Sequence, residues 1–388
     1  MKSRFHFHYL FSSPFRSFFL LAGVGAISLI MVWLSILYLQ LPAPGQMPPR
    51  LWHMHEMLFG FLGAAIAGFL LTAVPNWTNT NPISPVKVAM LTAIWILNRF
   101  SPWLFGDSPM HFYQTALQGL FWLTLFVFIT LPITVTRNQK SLIFPIILFA
   151  IGSLNVASSA SAIIGQANQA MLLNKVSLLV ILLLTGLIST RVIPFFISRQ
   201  TGLAISTSPT LNFAITIASV LGIAALLLSQ LDTVLPNPGW MMCLVGVLHG
   251  IRLMTWVKKA VFNYPLLWSL LLPYCVLSLG LIWLGASHIG SLNTSGPIHL
   301  LAISCLSAMV ISIATRVSLG HSGRELVAPR GFAVYFLCIV LAGLVRSLGH
   351  WLIPYPQTLL LSGALWSLGF AVFVYLFTPI YFSQRVNK

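Results

Sequence analysis

The stretch LWHMHEMLFGFLGAAIAGFLLTAVPNWT, residues 51–78, opens on two histidines and a glutamate and then runs apolar to Val74. A run of about 20 apolar residues is long enough to cross the hydrocarbon core of a bilayer. Twelve such runs follow one another, near residues 18–39, 53–74, 85–104, 112–135, 141–163, 170–190, 209–231, 240–257, 263–286, 297–315, 332–352 and 358–382. The third is interrupted by Arg99 and Pro102, and the eighth is short. The chain is 58% hydrophobic and 6% charged, which leaves no room for a sizeable soluble domain. The expectation is an all-α polytopic membrane protein of about twelve transmembrane helices, with residues 1–388 forming a single integral membrane domain.

A formal net charge of +16 invites a nucleic-acid reading, and the distribution of the charge excludes it. When the loops are numbered in order, sixteen of the twenty Lys and Arg residues fall on one set of sides, from Lys2, Arg4 and Arg16 to Arg385 and Lys388. The opposite sides carry Arg50 alone, and Arg99, Lys175 and Arg346 fall inside spans. This is the positive-inside asymmetry. It places both termini in the cytoplasm and makes the lipid bilayer, not nucleic acid, the partner of this charge. The first span is longer than a signal-peptide core and lacks a cleavage site of small residues. Cys243, Cys275, Cys305 and Cys338 all lie in spans without C-x-x-C spacing and read as packing residues.

An internal echo is present. Thr72-Ala73-Val74, Thr190-Arg191-Val192 and Thr315-Arg316-Val317 end spans two, six and ten, at separations of 118 and 125 residues. Each interval covers four spans, a pattern that suggests a pseudo-threefold repeat of four-helix units.

Glu56 is one of four acids in the chain. A carboxylate and two imidazoles at membrane depth are costly unless they hold something, commonly a proton route, a metal or a haem. His53 and Glu56, three apart, share a helix face, which Gly60, Ala64 and Gly68 continue. His55 points roughly 200° away from His53, so a regular helix cannot present both imidazoles to one ion. Either the first turn is unwound after Pro48-Pro49, or the two histidines have different roles. The small-residue face admits either a neighbouring helix or a flat macrocycle. His299 shares the outer depth of this pair. His249 and His321 lie toward the inner ends of spans eight and ten, near Arg191, Arg252, Arg316 and Arg324. Histidine with arginine suits haem iron and its propionates, although topology by itself accounts for the arginines.

These segments, with Pro14-Phe15-Arg16, RVIPFF at 191–196, LHGIRL at 248–253 and TRVSLGHSGREL at 315–326, give the chain its resemblance to the NnrS family of bacterial inner-membrane proteins, and they run in order along nearly its whole length. The resemblance implies haem and copper as cofactors and a role in denitrification and in tolerance of nitric oxide and nitrosative stress. It directs attention to His53, His55, Glu56, His249, His299 and His321. A looser, architecture-level likeness to haem–copper oxidase core subunits lies in the twelve spans and in histidines on the second and tenth. The competing reading is a proton-coupled secondary transporter, and a third is a nitric oxide reductase-like enzyme. The in-span carboxylate lies at the outer edge, whereas transporter sites favour the midplane.

Overall fold

The computed structural model describes residues 6–104, 111–229 and 236–386, with backbone alone at 46 and 111. The charges read at Lys2, Arg4 and Lys388, and the side chain of His111, lie outside the described residues. Among the described residues, twelve long helices occupy the expected segments. They are α1 (Pro14–Tyr38), α2 (Pro49–Thr78), α3 (Pro85–Leu104), α4 (His111–Val135), α5 (Ile143–Ile163) and α6 (Ala167–Thr201). The chain continues with α7 (Pro209–Leu228), α8 (Gly239–Trp256), α9 (Pro265–Ile289), α10 (Ser295–His321), α11 (Phe332–Leu348) and α12 (Tyr355–Tyr381). No strand occurs among the described residues. The chain is a multi-pass membrane protein.

Ten of these helices are long and apolar enough to cross a membrane. The two that fall short by composition are α3 and α8. Each carries a guanidinium in mid-helix, Arg99 on α3 and Arg252 on α8, and each arginine belongs to a buried polar cluster described below. Elsewhere the patterning suits lipid. On α4, Leu120, Leu123, Val127 and Leu131 are exposed at helical spacing, while Phe121, Leu125, Ile129 and Ile133 are buried on the opposite face.

The helices form two compact units. One is made of Met1–Ser177, Val317–Glu325 and Phe370–Lys388, and the other of Leu178–Arg316 and Leu326–Gly369; they are called here the first and second unit. In the first unit, Arg16 Nη1 donates to the carbonyls of Ile380, Tyr381 and Ser383 at 3.3, 3.0 and 2.6 Å. It thereby caps the C-terminal end of α12, where helix carbonyls lack intrahelical partners and the macrodipole favours a cation. The turn after α10 needs a glycine. Gly323 has φ +77°, and a Cβ there would strike the Val386 carbonyl. The small face of α2 is covered by side chains of another helix: Gly68 lies against Phe18 and Phe19 of α1.

In the second unit α8 and α9 approach backbone to backbone. A Cβ on Gly246 would lie 2.7 Å from the Ser278 carbonyl oxygen, and one on Gly285 would lie 2.7 Å from the Cys243 nitrogen. Small residues are what let membrane helices pack this closely. Gly285→Leu is therefore expected to cost about 1–3 kcal/mol through overpacking. A lowered unfolding midpoint in detergent checks this, with Gly119→Ala on α4 as the comparison for a general glycine effect, since a Cβ there would meet Val156 at an ordinary 3.5 Å.

Candidate functional site

The first unit holds a cluster built on α2. Ala43, Met47 and Pro48 keep the entry to the helix extended, as prolines at 42, 44, 48 and 49 dictate. Residues Pro49–His55 then form a regular α-helix, Glu56–Phe61 widen into a π-helical turn, and the α-helix resumes at Leu62. π-Turns often mark functional positions because they displace side chains and loosen the carbonyl ladder. Here the Gly60 carbonyl accepts a hydrogen bond from the Trp95 indole of α3 at 3.1 Å.

Glu56 is buried within this wide turn. Its Oε2 pairs with Arg99 Nη1 at 2.5 Å and its Oε1 accepts from His55 Nδ1 at 3.1 Å. Gly60 makes room for the guanidinium, since a Cβ there would stand 2.6 Å from Arg99 Nη1. The His55 Nε2 faces α5, where the Asn155 amide donates to it at 2.9 Å and Ser159 Oγ lies at 3.3 Å. Ser159 in turn donates to Gln118 of α4. Asn155 Oδ1 finds no hydrogen-bond partner among the described residues. With a carboxylate at Nδ1 and an amide donor at Nε2, the network assigns His55 the neutral tautomer with its proton on Nδ1 and its lone pair on Nε2.

The helix-face expectation paired Glu56 with His53, and the structure pairs it with His55. The Glu56 carboxylate sits where the helix widens and bridges its sequence neighbour to Arg99. His53 stacks on Trp33 of α1, with centroids 4.4 Å apart and planes within 17°. The two histidines thus have different partners, Trp33 for His53 and Glu56 for His55.

The second unit holds a separate cluster on α8. His249 Nδ1 lies 2.6 Å from the Tyr274 hydroxyl of α9 and 3.0 Å from Arg252 Nη2. Arg252 donates its five N–H groups to Tyr274, Thr190, Asn212, the Gly186 carbonyl and His249. All of these acceptors are neutral, so the buried guanidinium is satisfied without a counter-ion, and Trp256 and Tyr274 offer their rings at 5.4 Å. A guanidinium can only donate, so His249 Nδ1 must accept. The proton of this imidazole therefore sits on Nε2, the reverse of His55. A Cβ on Gly186 would lie 2.8 Å from the His249 ring, which explains the glycine opposite it.

The remaining sequence-derived residues are spread along the chain. His299 on α10 donates from Nδ1 to the Ser295 carbonyl at 2.7 Å. A second π-helical turn, Leu300–Ser307, begins at the residue after it, just as the turn in α2 begins after His55. His321 is exposed at the C-terminal end of α10 with Phe15 5.9 Å away. In the loop beyond, Arg324 donates to Ser383, and burial lowers its guanidinium from the ordinary value. Arg191 is half-buried on α6. Arg316 is buried with its guanidinium 4.1 Å above the Phe196 ring and Nη1 on the Leu266 carbonyl at 3.1 Å. Two of the segments behind the family resemblance, 191–196 and 315–326, therefore meet at Arg316 and Phe196.

Arg99, Asn155, Ser159, Gln118 and Tyr274 were not selected from the sequence. Arg99 carried a usable signal, because an arginine inside a span of so acid-poor a chain needs a partner. The others are single polar residues in apolar helices, and spacing gives no reason to prefer them.

Metal ligation asks for a bare imidazole nitrogen with the other nitrogen held by a hydrogen bond. His55, anchored on Glu56, and His299, anchored on a backbone carbonyl, hold that second nitrogen as ligation requires, and at His55 a metal would have to displace the Asn155 amide from Nε2. His249 does not, since Arg252 and Tyr274 occupy the nitrogen that would have to carry the proton. Among the described residues no three His, Cys, Asp or Glu side chains converge. A copper ion that draws all its ligands from protein does not fit that donor set. Haem iron, which takes four nitrogens from its macrocycle and needs one protein imidazole, fits the donor chemistry of His55 and His299.

The buried pair makes a stability prediction. Removing one partner strands the other charge, at about 3–5 kcal/mol, whereas replacing both is close to neutral. Arg99→Met and Glu56→Gln are each expected to lower the unfolding midpoint in detergent, and the double variant to recover most of the loss. Additive losses would show that the two side chains are not coupled.

No curated protein matches this sequence. A family model described as NnrS protein matches residues 9–385, the span that contains both clusters, both π-turns and the capping arginine at position 16. The chain belongs to the NnrS family of nitric oxide-related membrane proteins.

Proposed function

We propose that this protein works in the bacterial inner membrane, with both termini cytoplasmic, to protect against nitric oxide and nitrosative stress by binding or processing nitric oxide or its iron adducts. The observation that carries the proposal is the state of His55: a buried imidazole with its proton fixed on Nδ1 by Glu56 and its lone pair turned to Nε2. Haem is the proposed cofactor, and it would supply an iron on which nitric oxide can coordinate. His55 and His299 are its proposed ligands, each within its own unit. Glu56 and Arg99 are positioning residues, because they hold the His55 tautomer and its charge balance. Asn155 supplies the amide that meets Nε2 when no metal does.

The same assignment sorts the other candidates. Arg316 is committed to Phe196 and a carbonyl, so it is a structural cation in this arrangement. His53 packs on Trp33 and shapes the entry to α2. His321 and Arg191 are proposed as secondary positions. Copper, which the family resemblance also implies, has no three-donor protein set among the described residues, and its content is to be measured alongside haem.

The test is expression in a haem- and copper-replete host, followed by purification in mild detergent. A Soret band that shifts when nitric oxide is added to the reduced protein is expected. His55→Ala and His299→Ala should each lower haem occupancy, and His249→Ala should leave it in place. Glu56→Gln should weaken haem retention by about 10-fold or more, the usual effect of losing the group that orients a ligand histidine. A protein with neither Soret band nor copper would end the cofactor reading. Full occupancy in both histidine variants would remove the assigned ligands.

A further inference from the structure

We infer that a crevice beside His249 in the second unit is a docking site for a single small apolar gas molecule of nitric oxide's size. The crevice has a volume of about 30 Å³ and is lined from α6, α7, α8 and α9. On the same scale one water needs about 10–15 Å³, so the space takes one diatomic molecule and excludes anything the size of a metabolite. Leu182, Met242 and Val245 form its buried floor, and the half-exposed Ser219, Ile223 and Met241 form its mouth. His249 closes the inner end.

The chemistry of the lining favours a gas over water. A buried water typically makes about three hydrogen bonds. The Ser219 hydroxyl hydrogen is already committed to the Ile215 carbonyl at 2.7 Å. His249 Nε2 has no hydrogen-bond partner among the described residues, and it carries the proton because Arg252 and Tyr274 occupy Nδ1. The crevice therefore offers one outstanding donor in an otherwise apolar wall. A water there would lack most of its partners, while a weakly accepting apolar diatomic loses nothing and finds that donor. The mouth opens on α7, whose Phe213, Ile217, Val220 and Leu221 are exposed toward lipid. Apolar gases partition into lipid for the reason that drives any apolar transfer out of water, so entry is lateral, from the bilayer. The choice of nitric oxide among such gases rests on the proposed function, and the existence of the site does not.

Methionine methyl groups report on the site directly. The full chain, labelled at its methionine methyls and reconstituted in lipid nanodiscs, is pressurised with xenon and, separately, exposed anaerobically to nitric oxide. Met241 and Met242 line the crevice, Met31, Met90 and Met254 are exposed on other surfaces, and Met309 is buried elsewhere. Xenon is expected to shift Met241 and Met242 saturably, and paramagnetic nitric oxide to broaden the same two beyond the rest. Ser219→Phe, which fills the mouth, should abolish both effects. Ile223→Trp does the same from the neighbouring turn and serves if the first variant does not fold. Equal effects on Met31, Met90 and Met254 would mean that both gases are merely dissolved in lipid, and the site would fall. Xenon shifts without selective broadening by nitric oxide would overturn the assignment to that gas. Neither outcome depends on haem, so a haem-free protein that passes this test would cost the proposed function and leave the gas site standing.

Discussion

The contact between Glu56 and Arg99 governs the first unit, because it is what lets α2 carry a carboxylate inside an apolar fold. Left alone, that carboxylate would be neutralised or excluded. Paired at 2.5 Å with a guanidinium from the next helix, it becomes a fixed negative charge, and the rest of the cluster is arranged by it. The π-turn places it, the glycine at position 60 admits its partner, and its second oxygen fixes the proton of His55. The Trp95 indole, donated to the Gly60 carbonyl, ties the same two helices together one turn deeper. The composition of α3 follows from this duty. Its interruption by arginine and proline makes it a poor spanning helix by hydropathy and the right helix to deliver a guanidinium.

The second unit solves the same problem without an anion. Arg252 distributes its charge over five neutral acceptors and two aromatic rings. In hydrocarbon every polar group has to be satisfied internally, and here the satisfaction is complete enough to bury a cation. The consequence for His249 is chemical. A permanent donor at Nδ1 leaves no choice of tautomer, and the imidazole becomes a hydrogen-bond donor aimed away from the cluster.

The spans were legible in the sequence because hydrophobic length is a local property, and the two runs that read least clearly are the two that deliver Arg99 and Arg252 to the polar clusters. The histidines worth attention were legible too, from their cost at membrane depth. Their pairing was not. Helix geometry placed Glu56 with His53 on the assumption of a regular 3.6-residue turn, and the π-turn after His55 breaks that assumption just where it mattered. Nothing in the residue types of Glu56–Phe61 announces the extra width. Asn155, Ser159 and Tyr274 were illegible for a different reason: a lone polar residue in a span means nothing until its partner is known, and each partner lies on another helix. The arginines near His249 and His321 were weighed as topology signals against propionate partners, and neither reading foresaw the contact of Arg252 with His249 that decides what that histidine can do.

Three histidines, at 55, 249 and 299, show how much turns on the nitrogen that faces away from the action. In His55 and His299 an acceptor at Nδ1, one carboxylate and one backbone carbonyl, draws a proton to that side. In His249 two donors at Nδ1 push the proton to Nε2. The side chain is the same and the burial at positions 55 and 249 is similar, at 2% exposure each, so neither residue type nor depth separates the roles. The two imidazoles with an acceptor at Nδ1 also share a backbone feature, a π-turn starting at the next residue, and His249 sits in regular helix. A wide turn shifts the following side chains relative to a histidine at its edge, and after His55 it brings the Glu56 carboxylate onto the Nδ1 of its own sequence neighbour. Backbone width and second-nitrogen chemistry therefore make the same division: two imidazoles that donate from Nδ1 at the edge of a wide turn, and one in regular helix that accepts there.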